Sequence, residues 1–152
     1  MRIVILTYIF VLSGPSLLAQ QSPVWDRVYT FDDSMIEMNT SDLVIGGNIA
    51  RATFRWTFDQ PEILSGQPQQ RYKSRNEVFE FNCIDKRYRP YEISFVDAAG
   101  KLIRTEEGNP PAKWLAVDPG SMIDKLFTPA CQLFNERTLL SPSNEAIELE
   151  SQ

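Results

Sequence analysis

Three kinds of residue in this chain could do chemistry: two cysteines, adjacent carboxylates, and arginines and lysines interleaved with tyrosine. The carboxylates are Asp32-Asp33 and Glu106-Glu107. They suggest catalytic carboxylates or calcium ligands, but a glycosidase needs two carboxyls roughly 5–9.5 Å apart across a cleft, and a compact domain with one helix leaves little room for one. These pairs read instead as turn or surface residues. The chain has no histidine, which excludes a Ser-His-Asp triad, a Cys-His pair, a zinc-binding HExxH helix and imidazole-bound haem. No phosphate-cradling glycine loop or dinucleotide fingerprint is present. We assign no catalytic residue, no metal ligand and no cofactor.

The basic clusters are Arg71-Tyr72-Lys73-Ser74-Arg75 and Lys86-Arg87-Tyr88-Arg89. Arg71, Lys73, Arg75, Lys86, Arg87 and Arg89 are the candidate binding residues, suited to an anionic polymer such as a sulfated glycan or a nucleic acid. The plainer reading is two solvated strand ends. The clusters flank one strand and lie around 30 Å apart if that strand is extended, so they need not form one site.

The elements that must position these groups begin after an N-terminal unit of different character. Arg2 precedes an almost wholly apolar run from Ile3 to Leu12, broken by Ser13-Gly14-Pro15 and followed by the small residue Ala19. The run is about ten residues, against the roughly 20 of a membrane-spanning helix. Residues 1–19 therefore read as a secretory signal peptide. No cysteine follows the run, so lipid attachment is not supported. Cleavage leaves a chain with no stable membrane insertion, exported to the periplasm or secreted, with display at the cell surface as the alternative. The chain carries 15 Lys+Arg against 20 Asp+Glu, and that acidic balance argues against nucleic acid as a partner.

Export places Cys83 and Cys131 in an oxidising compartment. Two cysteines allow one intramolecular bond. Redox or metal chemistry would call for CxxC spacing or further soft ligands, and neither is present. A disulfide closing a loop of this length contributes about 4 kcal/mol in the chain-entropy model.

Hydrophobic spacing predicts a first strand over residues 24–30, a turn at Asp32-Asp33-Ser34 and a short apolar run at 43–45 closed by two glycines. From Ile49 to Phe58, Ala52, Phe54, Trp56 and Phe58 alternate with Arg51, Thr53, Arg55 and Thr57, the mark of a sheet with one buried and one wet face. Residues 59–70 hold Pro61, Gly66, Pro68 and four glutamines, and read as a loop. Strands are expected at 78–84, placing Phe79, Phe81 and Cys83 on one face, and around Tyr91, Ile93 and Phe95. Others follow at Leu102-Ile103 and 114–117, with Gly108-Asn109-Pro110-Pro111 as a break. Short turns between strands favour an antiparallel meander.

One helix is predicted after Asp118-Pro119-Gly120, capped by Ser121 with Asp124 three residues on. Ile123, Leu126, Phe127, Ala130, Cys131 and Phe134 fall on one arc, and a kink is expected at Pro129. Packing that arc on the sheet's apolar face would bring Cys131 to Cys83. From Asn135 the chain reads as a mobile acidic tail.

The order of these motifs resembles the surface-adhesin protein E family. It runs from Trp25 and Phe31-Asp32-Asp33-Ser34 through Phe81-Asn82-Cys83 and Arg87-Tyr88-Arg89. It ends in Trp114-Leu115-Ala116-Val117-Asp118-Pro119-Gly120-Ser121 and a helix with Cys131. The resemblance spans roughly residues 24–134. It implies a small exported bacterial domain that attaches to extracellular host components. Here Asn82 stands where the family often has an acidic residue.

The expected fold is therefore α+β: a single antiparallel sheet of about five or six strands, a C-terminal helix on one face and one disulfide. The domain plan is a signal peptide at 1–19, an adhesin E-like domain at 24–134 and a tail at 135–152. The expected function is non-catalytic binding of an extracellular protein or glycan. Two alternatives stand beside it: a periplasmic accessory that binds or inhibits another envelope protein, and a small carboxylate hydrolase.

Overall fold

The computed structural model of the protein describes residues 22–107 and 113–139. The expectations for the signal peptide, the break at 108–111 and the chain beyond Leu139 lie outside the described residues. Eight strands and one helix follow in order: β1 (Trp25–Thr30), β2 (Ser34–Asn39), β3 (Val44–Gly46), β4 (Ile49–Leu64), β5 (Gln67–Asn82), β6 (Arg87–Val96), β7 (Leu102–Glu107), β8 (Leu115–Ala116) and α1 (Met122–Leu139). The sheet is antiparallel, in the order β1-β2-β4-β5-β6-β7. The short β3 pairs with the start of β4 and β8 with the start of β6. A meander with one C-terminal helix and a Cys83–Cys131 disulfide is the fold the sequence predicts, with eight strands where about five or six are expected; the strand expected at 114–117 is the short β8.

Two elements differ from expectation. Ser34–Asn39 is a strand whose Ile36 and Met38 are buried; its apolar alternation is too short to stand out beside the preceding acidic turn. The stretch read as a loop is the tip of a long β4–β5 hairpin. Gly66 turns the chain at φ 76°, a conformation glycine adopts without steric cost. The prolines are accommodated because the ladder is irregular between Thr57 and Glu62, around Pro61, and between Ile63 and Leu64, opposite Pro68. That tip has its own small core of Leu64, Tyr72 and Phe95, with Phe58, Ile93 and Ile103 beside it.

The main core lies between the sheet and α1. Ala50, Ala52 and Phe54 of β4, with Phe79 and Phe81 of β5, meet Leu126, Phe127, Ala130, Cys131 and Phe134 of the helix. Phe54 and Phe81 are fully buried and meet edge to face. Burying each such ring is worth roughly 1.5–3 kcal/mol of transfer free energy.

The cap forms as the sequence predicts. Ser121 Oγ accepts the Asp124 N–H at 3.1 Å, and Asp124 Oδ2 accepts the Gly120 N–H at 2.9 Å. The helix runs through Pro129 as one element and continues to Leu139, so the first five residues read as tail are helical. Arg137 in its last turn donates to the carbonyls of Leu43 and Thr40. Cys83 follows β5 directly, and its Cα lies 5.5 Å from that of Cys131. The disulfide thus joins the sheet to the middle of the helix.

Candidate functional site

Because α1 covers one face of the sheet, the residues alternating with the core on β4, β5 and β6 occupy the other face. Pairing places Arg51 opposite Glu80 and Glu80 opposite Arg89, and places Glu37 of β2 opposite Arg55. This open face carries two networks of planar charged groups.

In the first, Glu80 lies between two guanidinium groups and is only 5% exposed. Arg51 donates Nε to Oε1 at 3.1 Å and Nη2 to the same oxygen. Arg89 donates Nε to Oε2 at 2.6 Å. Burial opposes ionisation of Glu80, but the hydrogen bonds and charges of the two arginines outweigh it and hold its carboxyl below the usual range. The hydrogen bond to Glu80 in turn raises the Arg51 pKa. Each guanidinium also lies over an aromatic ring: Arg51 over Tyr91 at 3.9 Å and Arg89 over Trp114 at 4.6 Å. Such stacks contribute ~0.5–1 kcal/mol at exposed sites.

The second network repeats the design. Arg55 donates Nε and Nη2 to Glu37 Oε2 at 3.1 and 2.8 Å, and lies over Trp25 at 4.1 Å. Three guanidinium–aromatic stacks thus tile one exposed sheet face, held flat by carboxylates beneath them.

Tyr91 reaches this face through an irregularity. Val78 pairs with Glu92 and Phe79 with Pro90, so Tyr91 has no partner on β5. The bulge separates it from Ile93 and Phe95, with which it was expected to share a buried face, and leaves it 40% exposed.

The candidate binding residues fall into two sets that the fold does not bring together. Arg71 and Lys73 lie near the hairpin tip and donate to the carbonyls of Pro61 and Asp59. Arg75 projects on the helix side, where its Nε is 2.9 Å from Glu77 Oε1 and its guanidinium lies over Trp56. Burial raises the Glu77 pKa against the opposing charge of Arg75. Lys86, Arg87 and Arg89 sit at the far end, roughly 36 Å from Arg71 along β5 at the usual strand rise. Lys86 occupies the turn with φ 51°, beside an Asn82 side chain that accepts the Ile84 and Asp85 N–H groups.

The carboxylate pairs also stay apart. Asp32-Asp33 lies in the β1–β2 turn and Glu106-Glu107 on the opposite edge strand, with β4, β5 and β6 between. Among the described residues no group of three or more Cys, Asp or Glu could hold a metal ion. No described helix is long and apolar enough to cross a membrane.

The family model described as surface-adhesin protein E matches residues 25–132, more than half of the chain. Among solved structures, the fold is similar to protein E of Haemophilus influenzae. One such structure aligns with TM-score 0.52 and 13% identity, over 71% of this chain and 83% of that one. A second crystal form aligns with TM-score 0.51 and 10% identity, over 74% of this chain and 97% of the other. No curated protein sequence matches the chain.

Proposed function

From its membership of the surface-adhesin protein E family, we propose that this chain is an exported, non-catalytic binding domain that engages an extracellular protein or glycan through the open face of its sheet. The observation that carries this reading is the tiled face itself. A sheet face free of the helix, with Arg51, Arg55 and Arg89 stacked on Tyr91, Trp25 and Trp114, offers flat, pre-ordered side chains to a partner. Arginine, tyrosine and tryptophan are the residues that most often anchor interfaces. Their carboxylate partners hold the guanidinium groups in place, which lowers the entropy lost on binding. Glu37 and Glu80 are each committed to an arginine rather than poised for proton transfer, which argues for recognition over hydrolysis.

The test is binding of the exported protein to immobilised extracellular-matrix proteins and glycans, wild type against Trp25→Ala/Tyr91→Ala/Trp114→Ala. We expect the triple variant to lose binding while keeping its circular-dichroism spectrum. Equal binding by the two proteins would move the site elsewhere.

A second reading, an accessory for another envelope protein, draws support from the edge strand β1. Beside it a groove of about 610 Å³ runs along α1, lined by Asp26, Tyr29, Lys125, Pro129 and Leu133 among others. An extended segment of a partner would add to β1 there. Co-purification of one envelope protein, lost on placing proline at Val28, would favour this role.

A further inference from the structure

We propose that the corner of the open face where β6 begins binds a sulfated polysaccharide; this inference rests on the binding role proposed above and names its ligand class. The corner gathers Arg51, Lys86, Arg87 and Arg89. Arg87 and Arg89 are two residues apart on one strand and share a face, which sets them roughly 7 Å apart. Arg51 stands two strands away from Arg89, or roughly 10 Å, with Glu80 between them. The anionic groups at this corner are Glu80, Asp85 and Asp118, the last following Val117, whose N–H bonds the Lys86 carbonyl at 3.0 Å. Both Glu80 oxygens are taken by Arg51 and Arg89, and Asp85 accepts a hydrogen bond from Asn82 at 2.8 Å. Four cations against three anions leave a net positive corner in a chain with net charge −5. Lys86 and Arg87 make no ion pair among the described residues and are exposed. Arg51 and Arg89 meet Glu80 through Nε and Nη2, which leaves one amino group of each, Nη1, outside the pair.

The shape selects among anionic polymers. An acidic peptide would bind by adding to a strand edge, but here the edge of β6 at Arg87 and Tyr88 is already paired with β8. Nucleic acid binding needs many phosphate contacts, which an acidic chain with one small basic corner does not supply. A sulfated polysaccharide lies flat and presents separated sulfates, each able to take two guanidinium N–H groups. Trp114 and Tyr91 border the same corner and offer apolar edges to sugar rings.

The experiment is calorimetric titration of the exported protein with a size-fractionated heparin oligosaccharide, using Lys86→Glu/Arg87→Glu as the variant. Neither position carries core packing, and equal melting temperatures would confirm that the fold is kept. We expect saturable binding by wild type that weakens steeply with salt, and at least about tenfold weaker binding by the variant. Desulfated heparin, polyglutamate and single-stranded DNA should each bind far more weakly than heparin. Undiminished binding by the variant, no binding of heparin by wild type, or equal binding of polyglutamate or DNA would overturn the inference. If heparin binding fails while the triple aromatic variant still loses its matrix ligand, the ligand class is wrong and the open-face reading stands. If both fail, the reading itself falls.

Discussion

Replacing Glu80 with glutamine should destabilise the domain by an amount set by its two arginines. The carboxylate is 5% exposed, whereas the side chains of Arg51 and Arg89 are 39% and 28% exposed. Removing one member of a fully buried ion pair costs ~3–5 kcal/mol. Fully exposed pairs contribute roughly 0–1 kcal/mol. With a buried acceptor and donors about one-third exposed, about 2–3 kcal/mol is expected, because glutamine keeps one acceptor but turns an amide toward a guanidinium. At roughly 4 °C per kcal/mol for a domain of this size, the melting temperature should fall by about 10 °C. The pH dependence is the sharper part. The folded carboxyl titrates below its unfolded value of 4.5, so its contribution is complete above that pH and disappears as pH falls through the folded value. Urea unfolding of wild type and Glu80→Gln at neutral pH and in acid would read this directly. The gap between them should be full at neutral pH and narrow in acid. A gap that is the same at both, or below about 0.5 kcal/mol at neutral pH, would show that the network contributes nothing beyond an exposed pair.

Glu77 should behave oppositely. Burial raises its folded pKa, so its ionised form at neutral pH opposes folding, and stability falls as pH climbs through the raised value. Glu77→Gln is therefore expected to match or exceed wild type in urea at neutral pH, and a clear loss would contradict that. Cys131→Ser should lower the melting temperature by on the order of 10 °C or more, as about 4 kcal/mol of loop constraint is lost; an unchanged melt under oxidising conditions would count against it. Ser121→Ala removes the acceptor for the Asp124 N–H and should cost about 1 kcal/mol in chemical denaturation.

Much of this architecture is visible in the chain because the decisive signals are local. The alternation from Ile49 to Phe58 fixes both faces of the central strand, and Ser121 with the arc from Ile123 to Phe134 fixes the helix and the side it buries. The cysteine pairing follows once those faces are known. The hairpin tip was hidden because Pro61, Gly66 and Pro68 carry loop signals, while the pairing that overrides them comes from a partner strand and a small tertiary core. The candidate site was hidden for a related reason. Arg51 and Arg55 are legible as a wet strand face, but their neighbours Glu80 and Glu37 are 29 and 18 residues away in sequence. Only strand register joins them. Tyr91 departs from the expected face because a bulge shifts side-chain parity by one, and the signal that marks it is the adjacent Pro90. Arg75 packs over Trp56 and beside Glu77, whereas Arg71 and Lys73 reach the carbonyls of Pro61 and Asp59.

The long hairpin is anchored unequally. At the β3 end it is clamped by the helix and by sulfur, whereas the Ser65–Gly66 end rests on the minor cluster around Leu64, Tyr72 and Phe95. Opening that starts at the tip meets few apolar neighbours and stops where α1 begins to cover the sheet. Amide exchange is therefore expected to be slower in the helix-covered base than at the hairpin tip.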